Sequence, residues 1–164
     1  MDQLRLPITP QDFDIRILPE VMILLPAKMN SRSARILLLA IALQESGLAY
    51  RQQIGGPARG LMQFEQGGGV KGVLTHPASQ DYAADVCLAR NVVAASAQVY
   101  AALDQDDVLA VALGRLLLWT DPRPLPAVGD ALGGWNLYQR VWRPGHPRPE
   151  VWAGVYQTAI QTVT

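Results

Sequence analysis

At 164 residues, 49% of them hydrophobic, the chain is long enough to bury one substantial core, and a single domain is expected. Fourteen basic and fourteen acidic residues cancel to a formal net charge of zero, so there is no electrostatic footprint that would suit nucleic acid as a partner. The lone cysteine, Cys87, excludes an internal disulfide, and with two histidines far apart in sequence, His76 and His146, neither a zinc site nor another metal site is expected.

No apolar run reaches the roughly 18 residues of a membrane span, so membrane insertion is not expected. The first residues also lack the charged, apolar and small-residue succession of a signal peptide, which points to synthesis in the cytoplasm without export by the usual route. Thr9-Pro10 reads as a cap followed by proline at the first helical position, opening a helix that Pro19 interrupts and Pro26 ends. Ser31 to Ser46 follows as the core helix. Its segment Ile36 to Leu43 is apolar on every side and must be buried nearly all round. Ser31 or Ser33 offers the N-cap, and Gly47 suits the left-handed position beyond the C-terminus.

Glu45 falls in the last turn of that helix. There the negative end of the helix dipole disfavours an ionised carboxylate, while Ile41 and the downstream Leu61 or Met62 are placed to exclude water; both effects raise the pKa. A carboxylic acid still protonated near neutral pH is what a general acid needs to protonate the leaving oxygen of a glycosidic bond. The plain alternative is a solvated helix-end glutamate, but a helix with no polar face has no structural need of an acid set against its dipole.

Arg51 to Gly60 reads as a loop. Glu45-Ser46-Gly47 followed by Gly60-Leu61-Met62-Gln63 resembles the signature of the soluble lytic transglycosylases and the related goose-type lysozymes, over about twenty of the 164 residues. The resemblance implies a lysozyme-like helical fold, Glu45 as catalytic acid and base, and Gly60, Leu61, Met62 and Gln63 along a sugar cleft. Its substrate would be peptidoglycan glycan strands. Two departures stand out: Pro57 replaces the glycine usual before the alanine, and the later Tyr-Asn-Ala-Gly-Pro segment is missing as such, Leu118-Trp119-Thr120-Asp121-Pro122 being its nearest equivalent. An external substrate conflicts with a cytoplasmic chain. The resemblance to small phage-encoded versions resolves it, since these are carried in the virion, beside other virion proteins, or released through a holin.

Gly67, Gly69 and Gly72 formally satisfy Gly-x-Gly-x-x-Gly, but no strand precedes them, so a dinucleotide site lacks its context and no cofactor is expected. A flexible loop beside the cleft is the better reading, with a short helix near Val70 to Leu74. Glu65, at the loop's edge, is a candidate second carboxylate. Inverting glycosidases need one roughly 6.5–9.5 Å from the acid and retaining enzymes a closer one, whereas lytic transglycosylases use the substrate's own N-acetyl group and 6-hydroxyl and need neither. Loop solvation is the alternative for Glu65.

Further helices are expected from Pro77 to about Ala89, Asn91 to Leu103, Asp107 to Trp119 after an Asp106 cap, about Val128 to Trp142, and Pro149 to Val163. Nothing alternates with period two, so the fold class is all-α. Trp135, Tyr138, Trp142, Trp152 and Tyr156 recur at helical spacing, which favours core packing over sugar stacking. Trp119 and Tyr138 are nonetheless candidates for positioning the sugars. Arg140, Arg143 and Arg148, interleaved with these aromatics, read first as a solvated face and second as a docking point for stem-peptide carboxylates. Cys87, among apolar residues, is expected to be buried and inert. The reading these residues favour is a lytic transglycosylase or muramidase acting through Glu45. A virion structural or adaptor protein with the same fold, and a chitinase- or chitosanase-like enzyme, are the alternatives.

Overall fold

The computed structural model describes residues 2–164. In chain order its helices are α1 (Pro10–Asp12), α2 (Leu18–Ile23), α3 (Arg32–Glu45), α4 (Lys71–Thr75), α5 (Gln80–Ala89), α6 (Ser96–Ala102), α7 (Asp107–Trp119), α8 (Ala131–Trp142) and α9 (Pro149–Thr162). Among the described residues there is no strand longer than the isolated bridges Gln52–Arg59 and Arg59–Phe64, so the chain is all-α. No helix among them is long and apolar enough to cross a membrane.

The starts of the helices follow local chemistry. The side chains of Thr9, Ser31, Asp106 and Asp130 each accept a hydrogen bond from the backbone N–H three residues on, satisfying donors that a helix end leaves free. Gly47, at φ +62°, ends α3 in the expected left-handed conformation. Pro19 does not break the first helix. A π-helical stretch, Phe13–Ile17, joins α1 to α2, with the Leu18 N–H reaching back to the Phe13 carbonyl, and this wider turn accommodates a ring that would clash with the carbonyl four residues earlier.

α3 and α7 form the centre. Every residue of α7 from Asp107 to Leu118 is buried, and α3 buries all of Ile36 to Ala42; α9 packs along α3, while α2, α5 and α8 surround α7. Cys87 lies buried in this core. Arg51 binds α7 from the loop: its guanidinium donates to both carboxylate oxygens of Asp107 at 2.8 Å and to the Leu4 carbonyl at 2.7 Å. Asp107 sits in the first turn of α7, where a carboxylate also complements the helix dipole.

Elsewhere the expected boundaries shift. The helix expected from Asn91 to Leu103 starts only at Ser96, because Asn91 turns left-handed at φ +57° and Arg90 is drawn to Asp106 by two hydrogen bonds of 2.7 and 2.9 Å. Pro77 precedes its helix by three residues, since the buried Ser79 hydroxyl donates to the Val73 carbonyl and folds the segment back. Gly129, at φ +97°, delays α8 to Ala131.

Candidate active site

A groove of about 1120 Å³ crosses the molecule at the C-terminal end of α3. Glu45 lies on its floor. Gln63, Phe64 and Glu65 form one side, continued by a rim almost without side chains, Gly67, Gly68, Gly69 and Gly72. Thr120 and Asp121 after α7, and Arg140, Trp142, Arg143 and Arg148 from α8 and the segment beyond it, also line the groove. The expected flexible loop at Gly67–Gly69 is instead a π-helical turn, Gln66–Val70, in which Gly68 leaves helical geometry (φ −101°, ψ −107°). Gly69 presses so closely on Phe64 that a Cβ there would meet the ring at 2.8 Å.

Three consecutive residues at the end of α3 build the floor. The Gln44 side chain is 2% exposed and donates to the Arg148 carbonyl at 3.0 Å, while the Arg148 guanidinium donates back to the Gln44 carbonyl at 2.5 Å. A cation at this end of the helix also meets the negative pole of its dipole. The Ser46 hydroxyl lies 2.8 Å from the Leu61 carbonyl and 3.1 Å from that of Ala42, and accepts from the Leu48 N–H at 3.2 Å, so it fastens the Leu61 turn to the helix. Between them, Glu45 accepts a hydrogen bond at Oε1 from the Tyr138 hydroxyl, and its backbone carbonyl accepts from Tyr50 at 3.0 Å.

Burial pushes the Glu45 carboxyl up from its ordinary 4.5 to about 7, against the opposing pull of the Tyr138 hydrogen bond and the Arg148 charge. Tyr138 is itself held well above its usual range, first by burial and then by Glu45, so it remains a donor. Behind it stands an aromatic stack. Tyr138 lies parallel to Trp152 at 5.6 Å (7° between planes), and Trp135 and Tyr156 flank Trp152 at 5.8 and 5.9 Å. These rings exclude water from one side of Glu45 and fix the donor.

Several residues expected to touch sugar do not border the groove. Leu61 and Met62 are 0% and 1% exposed; Met62 reaches instead into α7, where Gly114 leaves a notch that a Cβ would close to 2.7 Å from its methyl. Gly60 is likewise buried, against Leu103 and Ala110. Trp119 points elsewhere, its ring centre 5.3 Å from the Lys28 ammonium and 5.5 Å from the Arg115 guanidinium. Tyr138 acts on Glu45 rather than on the groove. Gln63 does line it, although its side-chain amide donates to the Gly60 carbonyl at 2.9 Å, and so does Glu65, exposed on the rim.

Phe64, Tyr50 and Asp121 are groove residues that sequence reasoning passed over. Phe64 follows the Gly-Leu-Met-Gln turn directly and Asp121 lies in the Leu118–Pro122 segment, both usable signals; Tyr50 carries none. Trp142 both borders the groove and donates from its indole to the Met62 carbonyl at 3.1 Å, tying α8 to the turn. Among the described residues no group of three or more His, Cys, Asp or Glu side chains is placed to hold a metal ion. Compared with known proteins, the chain matches no family model, no curated sequence and no solved structure.

Proposed function

We propose that this chain is a peptidoglycan-cleaving glycosidase with a lysozyme-like helical fold, acting as a lytic transglycosylase on the bond between N-acetylmuramic acid and N-acetylglucosamine. The observation that carries the reading is Glu45: a carboxyl half protonated near neutrality, held by a tyrosine hydroxyl, on the floor of a groove large enough for several sugar rings. In the proposed reaction Glu45 gives its proton to the glycosidic oxygen as the bond to the muramic C1 breaks. The substrate's N-acetyl oxygen holds the developing charge at C1. Glu45, now a carboxylate stabilised by Tyr138 and Arg148, then takes the proton of the muramic 6-hydroxyl, whose oxygen closes the 1,6-anhydro ring.

An internal nucleophile is favoured over water because Glu65, the acid nearest the motif, is exposed and its side chain forms no hydrogen bond among the described residues. The glycine rim that follows it is poorly suited to hold a water within the tolerance that base catalysis needs. Digestion of purified peptidoglycan, read by mass spectrometry, should give 1,6-anhydro-muramic ends, and Glu65→Gln should keep most of the activity. Reducing muramic ends together with an inactive Glu65→Gln would make the protein a two-carboxylate lysozyme. No release at all would leave a non-catalytic binding or virion role.

Tyr138→Phe separates positioning from bulk packing, since the ring is retained and only the hydroxyl is lost. Without that donor the Glu45 pKa should rise further, so the alkaline limb of the pH–rate profile moves to higher pH while the maximal rate falls. An unchanged limb would show that the hydroxyl does not act on the acid.

A further inference from the structure

We propose that the arginine edge of the groove receives the carboxylates of the peptide carried by the muramic acid, so that the enzyme selects peptide-bearing strands over stripped ones. The inference rests on the glycosidase reading and names the substrate of the same groove. Three guanidiniums stand along one edge, Arg140, Arg143 and Arg148, although the chain as a whole has no net charge. Two of them are engaged. Arg140 forms a 3.0 Å ion pair with Asp121, itself 8% exposed, and Arg148 is bound to the Gln44 carbonyl beside Glu45.

Arg143 is different. It is exposed on the groove, and its side chain makes no hydrogen bond or ion pair among the described residues. Its backbone is left-handed (φ 49°, ψ 55°) at the C-terminus of α8, a position that normally favours glycine or asparagine. Of the acids that line the groove, Asp121 is paired with Arg140, Glu45 faces Arg148, and Glu65 forms no ion pair with Arg143. The edge therefore keeps one guanidinium without an anionic partner, Arg143, beside an Arg148 whose charge already serves Glu45, and this free cation suits an anionic substituent of the bound strand. A guanidinium suits a carboxylate, which it can bind through two parallel hydrogen bonds. The hydroxyls and acetamides of the sugars give no such partner; the acidic residues of a stem peptide do, several carboxylates for each peptide against the single lactyl carboxylate of a stripped muramic acid.

The test compares soluble glycan strands bearing peptides with the same strands stripped by an amidase, which leaves only the lactyl carboxylate. Wild-type kcat/KM should be about tenfold higher on peptide-bearing strands at low salt, the value of one charge-assisted hydrogen bond, and the ratio should shrink as salt screens it. Arg143→Asn, which tolerates the left-handed backbone, should bring the ratio close to one, and Arg143→Lys should restore part of it. Calorimetric binding of both strand types to the Glu45→Gln protein separates the two levels. Peptide-dependent binding without any cleavage by wild type would remove the glycosidase reading and keep the arginine site. Cleavage of both strands at equal rates, or faster cleavage of stripped strands, would overturn it.

Discussion

Glu45→Gln should reduce cleavage of peptidoglycan by roughly 10²–10⁴-fold, the usual contribution of a positioned general acid, while leaving the fold intact. Glutamine is nearly isosteric and can still accept from Tyr138 through its carbonyl oxygen, but it has no proton to give. A zymogram in which the variant clears as well as wild type would end the catalytic reading. The same substitution has a stability signature. Folded Glu45 titrates at about 7 and the unfolded chain near the ordinary 4.5, so between these values the native state binds more protons. The stability of the wild type must then fall as pH rises through that window, with the loss complete above about 7. Gln does not titrate. Thermal unfolding should show the variant gaining on wild type above pH 7 and matching it at pH 4, a combination of lost activity and gained stability that a merely surface glutamate would not produce.

Gly60→Val should be the most damaging change to the fold outside the central helices. Gly60 sits at φ +77°, and a Cβ there would lie 3.0 Å from the Leu103 carbonyl oxygen and 3.1 Å from the Ala110 side chain. Left-handed strain and overpacking cost roughly 1–3 kcal/mol each, so a loss of about 2–6 kcal/mol is expected. The Gly60 N–H also donates to the Arg51 carbonyl at 2.6 Å, and its carbonyl receives the Gln63 amide, so the displacement would reach the groove wall. Urea denaturation measures the effect, with Gly60→Ala as a milder companion. A valine variant with an unchanged midpoint would mean that the turn yields more easily than this packing implies.

What could be read in the sequence was local. The N-cap at Ser31, the uniformly apolar run of α3, the left-handed Gly47 and the Asp106 cap of α7 are all encoded within a turn or two of where they act. So is the position of Glu45 at a helix end. Its surroundings are not. Burial of the acid was anticipated from Ile41, Leu61 and Met62, yet the group that touches it is Tyr138, backed by Trp152. Periodicity placed these aromatics on two helix faces and could not say that the faces meet at the end of a third. Trp119 is not a groove residue for a similar reason: its place at the end of an apolar helix does not fix which way the last turn faces, and Lys28 and Arg115 claim the ring. The task of Ser46, whose hydroxyl bonds the Leu61 carbonyl, is likewise set by a contact that the local sequence does not contain.

Gln44, Glu45 and Ser46 are neighbours in the chain, yet they are fastened to partners 104, 93 and 15 residues away. Those separations set the entropy each contact must overcome, which is larger for the two distant ones. The Ser31 cap of α3 and the Ser46–Leu61 contact are local, whereas the main packing partner of α3 is the distant α9. Without α8 and α9 docked, Glu45 has neither Tyr138 nor the aromatic wall, and the burial that raises its pKa is lost. The raised pKa of Glu45 is thus a property of the docked C-terminal helices, and is lost if they come loose.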